Sequence, residues 1–98
     1  MSFRFHPAAE AEHLETIRFY ESCRPGLGAD YLAEFDALMR QIVDRPLRFR
    51  LDRRPNIRKA GMRRFPFELI FRSSEGQPLF LLAVSHKRRQ PGWWLRRV

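Results

Sequence analysis

Two short stretches hold the side chains able to do chemistry. The first contains Arg63, Arg64 and Glu68; the second runs from His86 through Lys87, Arg88 and Arg89 to Trp93 and Trp94. A carboxylate, an imidazole and an ammonium among guanidiniums and indoles are the groups that metal-free cleavage of RNA requires. One takes the 2′-hydroxyl proton, cations hold the pentavalent phosphate, an acid protonates the leaving oxygen, and a ring splays the strand. The same residue types also build protein interfaces, in which Arg and Trp are the usual anchors. Each has a plainer reading as well. Glu68 suits a salt bridge with Arg64 or Lys87, His86 a hydrogen-bonded place at a strand end, and the two Trp a cap on a sheet.

Other chemistries find no support in the spacing. His6, His13, His86 and Cys23 show no metal-ligand interval, so no metal site is expected. Gly26 and Gly28 lack a following Lys-Ser/Thr and cannot form a phosphate loop. Ser73, Ser74 and Ser85 lie in no nucleophile elbow, and Cys23 reads as a small, partly buried residue near a helix end.

The reactive residues need supports, and the strongest is the apolar run Leu79–Val84, which predicts a strand buried on both faces. Such a strand delivers His86, Lys87, Arg88, Arg89 and the Trp pair to its exposed end. Residues 62–72 predict the preceding strand, and residues 73–78 a hairpin loop. If Arg72 then pairs with Leu79, Phe67, Leu69 and Phe71 share a face with Phe80, Leu82 and Val84. That face packs under helices. The other carries Arg64, Glu68, Arg72, Ser85 and Lys87, so Glu68 and His86 point to opposite sides.

Upstream, residues 2–6 alternate as a short strand. Pro7 opens a helix whose apolar face is Ala11, Leu14, Ile17 and Tyr20, stopped at residues 24–28. A second helix from residue 29 or 30 carries Leu32, Phe35, Met39, Ile42 and Val43 and ends before Pro46. Residues 46–56, with two Pro and four Arg, read as a basic surface loop, and residues 57–60 as a short strand. The expected architecture is α+β: a small antiparallel sheet with a two-helix hairpin on one face, in a single domain over residues 1–98.

Charge is divided along the chain. Residues 1–44 hold four Arg against eight carboxylates, and residues 45–98 hold thirteen Arg and two Lys against three. One strongly basic side implies a polyanionic partner, nucleic acid or acidic protein, and a preference for Arg over Lys favours recognition over solubility alone. A single Cys fits a reducing compartment; with no apolar leader core and no membrane-length apolar run, a cytoplasmic location is expected.

On these residues the chain resembles the RelE/ParE toxins of bacterial type II toxin–antitoxin modules. The run from Pro78 into Lys87-Arg88-Arg89 and Trp93-Trp94 looks like the family's last strand and basic turn, and Met62–Phe71 like its preceding strand. The order strand, two helices, strands (β-α-α-β-β-β) agrees too. The resemblance implies growth inhibition relieved by a cognate, partly disordered acidic antitoxin, contact with operator DNA only through that antitoxin, and no cofactor. The position matching Glu68 is an Arg in RelE-type nucleases, Lys87 matches a second catalytic cation, and Trp93 falls where they place a Tyr. A Glu/His pair used by some relatives is divided here by the register. The resemblance therefore implies ParE-like inhibition of DNA gyrase by binding, ahead of ribosome-dependent mRNA cleavage, with Glu68, Lys87 and His86 catalytic only in the second case. In either case Arg63, Arg64, Arg88, Arg89, Trp93 and Trp94 would meet the target. A non-toxic nucleic-acid-binding module is the reading from outside the family.

Overall fold

The computed structural model describes residues 3–98. Its elements are β1 (Phe3–Phe5), α1 (Pro7–Cys23), α2 (Leu27–Asp44), β2 (Arg50–Arg53), β3 (Ile57–Gly61), β4 (Phe67–Arg72) and β5 (Leu79–His86). Single 3₁₀ turns cover Pro46–Arg48 and Leu95–Arg97. Ser2, placed in the first strand by the sequence pattern, lies outside the described residues. Among the described residues no helix is long and apolar enough to cross a membrane.

The helical hairpin is set by local chemistry. His6 caps α1, its Nδ1 accepting the Ala8 N–H at 3.0 Å, and Pro7 takes the first helical position, where an N–H has no partner to lose. Beyond Cys23 the chain turns, and the Glu21 carboxylate accepts the N–H groups of Gly26 and Gly28, the latter at 3.0 Å, clamping the end of α1 to the start of α2. A Cβ at Gly28 would stand 2.8 Å from the Ile17 carbonyl oxygen, so only glycine lets the helices approach this closely.

The buried stripe of α1 is rotated from the expected one. Ala9, His13 and Thr16 are buried with Ile17 and Tyr20 partly so, whereas Ala11 and Leu14 are exposed. Apolar residues alone misled because two polar groups face inward: Thr16 Oγ1 donates to the Glu12 carbonyl at 2.7 Å, and His13 stacks within 4.0 Å of Phe35. On α2 the buried set is Tyr31, Phe35, Leu38, Met39 and Ile42, with Leu32 and Val43 at its margins.

The sheet has the order β1-β5-β4-β3-β2. The pairs among β2–β5 are antiparallel, and β1 joins β5 in parallel, making the sheet mixed where an antiparallel one was expected. Direction alternates from β2 to β5 along three antiparallel pairs, and after the helical hairpin this alternation leaves β5 running the same way as β1. Residues 50–53 pair with β3 as an edge strand instead of a loop. Edge strands carry charge readily, which hid this one behind its arginines.

The β4–β5 register starts one residue away from expectation, with Arg72 opposite Phe80 and Phe71 opposite Leu81. A bulge then absorbs Leu82, so that Ile70 faces Ala83 and Phe67 faces His86. Leu79 and Leu81 consequently join the core under the helices, while Phe80 and Leu82 turn to the opposite face. Beyond the bulge Val84, Ser85 and His86 return to their expected sides. As the apolar run predicted, β5 is buried on both faces, with Leu81, Leu82 and Ala83 at 0% exposure.

Candidate interaction surface at the end of β5

The face of the sheet away from the helices is not open along its length. After β5 the chain turns at residues 87–92 and folds back over it, so that Trp94 packs with Ile57, Ile70, Leu82 and Ala83 at 3% exposure. Gly92 makes the return possible: its φ is 79°, and a Cβ would meet the Arg53 guanidinium at 2.9 Å. Trp94, expected to meet a target, is therefore a core residue.

The returning segment is fastened by a polar clasp. β1 ends at Phe5 because Pro7 begins α1, which leaves the Leu82 carbonyl and the Val84 N–H without a neighbouring strand. Glu12 of α1 accepts the Val84 N–H at 3.1 Å, and Arg97 donates to the Leu82 carbonyl at 3.0 Å. Arg97 and Glu12 also form a two-bond ion pair with each other, only 17% and 25% exposed. These two side chains stand in for the missing strand.

The turn itself is held by short bonds. His86 Nδ1 accepts the Arg88 N–H at 3.0 Å, and its ring meets Phe67 edge-on at 5.2 Å, which is the structural role weighed for it above. Lys87 donates its backbone N–H to the Pro66 carbonyl at 2.8 Å and its Nζ to the Met62 carbonyl at 3.0 Å, tying the turn to the β3–β4 loop. The Trp93 indole N–H donates to Ser85 Oγ at 2.8 Å. The Arg89 guanidinium lies 3.8 Å from the centre of the Trp93 ring and that of Arg97 4.6 Å. Trp93 is thus half-buried in a cationic sleeve, and Arg88 and Arg89 stay exposed.

Glu68 does share the sheet face of Ser85, and its partner is Lys59, at 3.9 Å, which also reaches Asp52 at 3.6 Å. Neither Arg64 nor Lys87 pairs with it, because Lys87 is turned to the Met62 carbonyl and Arg64 to the Asp30 carboxylate, 3.6 Å away. Asp52, Lys59, Glu68, Lys87, Arg89 and Trp93 line one small cleft of about 160 Å³. His86 lies on the other face, as the sequence predicted, so no Glu/His pair forms.

Arg63 and Arg64 sit apart from this cleft, on the helix side. The Glu34 carboxylate accepts both of their backbone N–H groups, and the two residues rim a groove of about 690 Å³ with Asp30, Glu34, Leu38 and Phe49. Lys87 lies between the two regions, lining the cleft while its Nζ reaches the Met62 carbonyl next to Arg63. Sequence reasoning missed Lys59, Asp52, Glu12 and Arg97, whose roles depend on contacts between distant parts of the chain. Among the described residues no three His, Cys, Asp or Glu side chains are grouped to hold a metal ion.

Comparison with known proteins bears on fold alone. No family model matches the chain, and no curated protein matches it. Among solved structures, a chain of the chromosomal ParDE TA system from P. aeruginosa is similar, with a TM-score of 0.74, 18% sequence identity, and coverage of 88% of this chain and 95% of that one. Two helices against one sheet is the α+β class that the RelE/ParE resemblance implies, with the β2 edge strand and the parallel β1–β5 pair as departures from the expected sheet.

Proposed function

We propose that the chain is the toxin of a type II toxin–antitoxin module of the RelE/ParE type, one domain over residues 1–98, neutralised by a cognate acidic antitoxin. The shared fold with a chain of a ParDE TA system supports the toxin reading, as does the concentration of cations in the second half of the chain. The antitoxin covers Arg63, Arg64, Arg88 and Arg89, whose side chains are exposed at one end of the sheet. Contact with operator DNA runs through the antitoxin, and the site of action is the cytoplasm.

The mode of action we infer is ParE-like: inhibition of DNA gyrase by binding through residues 87–93. The observation that carries it is the filled face. Trp94 occupies the sheet, Glu68 is paired with a Lys59 that it shares with Asp52, Lys87 is turned to a backbone carbonyl, and the remaining cleft of about 160 Å³ is too small for a nucleotide. Ligand pockets begin at roughly 300 Å³. The RelE-type alternative draws on the presence of Glu68, Lys87 and Arg89 around that one cleft.

Purified protein added to gyrase should inhibit supercoiling, and added to translating ribosomes should leave mRNA intact. Codon-dependent cleavage that falls at least ~100-fold in Glu68→Gln or Lys87→Ala would overturn the gyrase reading.

A further inference from the structure

At the opposite end of the same sheet face lies a second cationic arrangement. Arg4 of β1 and Arg72 of β4 are both cross-strand neighbours of Phe80 on β5, so the three side chains stand in a row across adjacent strands. The Arg72 guanidinium lies 4.9 Å from the centre of the Phe80 ring. The six residue steps along β5 from Phe80 to His86 put this row about 20 Å from the basic turn.

Arg4, Arg72, Ser74, Gln77, Pro78 and Phe80 line a hollow of about 350 Å³. Its charged lining is entirely positive. The cleft by Trp93 contains Asp52 and Glu68, and the groove along α2 contains Asp30 and Glu34. Among the described residues neither Arg4 nor Arg72 has a carboxylate within ion-pair distance.

The other polar side chains, Ser74 and Gln77, can each donate as well as accept. Asn56 donates its side-chain N–H to Ser74 Oγ at 2.8 Å, which leaves the Ser74 hydroxyl hydrogen free to point outward. The loop that carries these groups is fixed: the Ser73 N–H bonds to the Asn56 carbonyl and the Gln77 N–H to the Ser74 carbonyl, each at 3.1 Å. Two guanidiniums sharing one hollow repel each other unless an anion lies between them, and their planar forks match phosphate oxygens. Phe80 and Pro78 supply an apolar wall beside them, suited to a sugar or a base.

We propose that this hollow binds a phosphate group carried by a nucleotide, free or within a strand, with Arg4, Arg72 and Ser74 on the phosphate oxygens and Phe80 against the attached moiety. The site is separate from residues 87–94, and the proposal does not rest on the toxin reading.

Titration of the ¹⁵N-labelled protein with inorganic phosphate, adenosine monophosphate and a short single-stranded oligonucleotide tests it, with the side-chain Nε–H signals of Arg4 and Arg72 as reporters. Saturable shifts of both are expected with at least one probe. Arg4→Gln and Arg72→Gln should each raise the Kd about tenfold or more, the loss of a charged hydrogen bond, while Arg89→Gln leaves it within about twofold. Equal binding of free phosphate and the mononucleotide assigns recognition to the phosphate alone; preference for the mononucleotide adds the Phe80 wall; preference for the oligonucleotide identifies a strand as the source. If Arg72→Gln lowers the melting temperature, Arg72→Lys keeps the charge without the fork and should still weaken binding. The proposal fails if no probe shifts these signals, if the substitutions leave the Kd unchanged, or if Arg89→Gln weakens binding as much as they do.

Discussion

The two faces of the sheet are closed in different ways. On one, α1 and α2 bring a broad set of side chains, among them Tyr31, Phe35, Met39 and Ile42, against Leu69, Phe71, Leu81 and Val84. On the other, Trp94 covers Ile57, Ile70, Leu82 and Ala83, with Phe80 and Trp93 half-buried at its margin, delivered by a segment with no regular strand and fastened by Glu12 and Arg97. The first is a core with redundancy; the second depends on a few rings and one ion pair. Regions with few buried contacts open locally at lower cost than the whole fold, so the second face is where this molecule yields first.

The comparison breaks most directly at Trp94. Trp94→Ala should cost about 3–5 kcal/mol, the usual loss for a large buried ring, read from the midpoint of denaturant unfolding. A loss below about 1 kcal/mol would mean that the segment contributes little to the fold. Glu12→Gln and Arg97→Gln should each cost about 1–3 kcal/mol, since the partner and the β5 edge are left partly unsatisfied but not fully buried. Native-state hydrogen exchange sharpens this: the Val84 amide should lose protection in Glu12→Gln while the α2 amides keep theirs.

Arg89→Ala should have the smallest effect on stability, about 1 kcal/mol or less, from loss of one exposed cation–ring contact, and Trp93→Ala an intermediate one of about 2 kcal/mol, from loss of two such contacts, one hydrogen bond and a half-buried ring. On the proposed toxin reading, both should abolish growth inhibition in cells. Should Trp93→Ala melt far below wild type, Trp93 belongs with Trp94 in the cover and not with the functional turn.

The helix-side core is the one that senses pH. Burial holds the His13 imidazole below its ordinary value of 6.5, with Asp36 and Glu10 pulling weakly the other way. The unfolded chain takes up this proton at higher pH than the folded one. Stability is therefore intact above pH 6.5 and falls as pH drops below it. Comparing the pH profiles of wild type and His13→Leu isolates the effect, which should vanish in the variant.

Much of this organisation was legible in the residues. The unbroken run Leu79–Val84 meant a strand buried on both faces, and Pro7 and Pro46 bounded the helical hairpin, although α2 begins at Leu27, two residues ahead of the expected start. The division of Glu68 from His86 followed from a period of two. What was hidden shares one cause: it depends on contacts that a linear pattern does not encode. The bulge at Leu82 has no residue signature, and it turned Phe80 and Leu82 to the face opposite the expected one. β2 was masked because an edge strand tolerates arginines at positions where an inner strand would need apolar side chains. The α1 stripe was rotated because His13 and Thr16, polar by type, are buried by packing. Glu12 and Arg97 lie 85 residues apart, and nothing local marks either as half of a clasp.

That clasp also sets a timetable for synthesis. Glu12 and β1 leave the ribosome before their partners on β5 and at Arg97, the last of which follows Glu12 by 85 residues. Contacts with such long sequence separation form late, after the local helical hairpin is already possible. A nascent chain that has not reached residue 97 has the turn at residues 87–92 but not the clasp. The clasp can therefore close only after Arg97 has been made, and until then the Leu82 carbonyl lacks its donor.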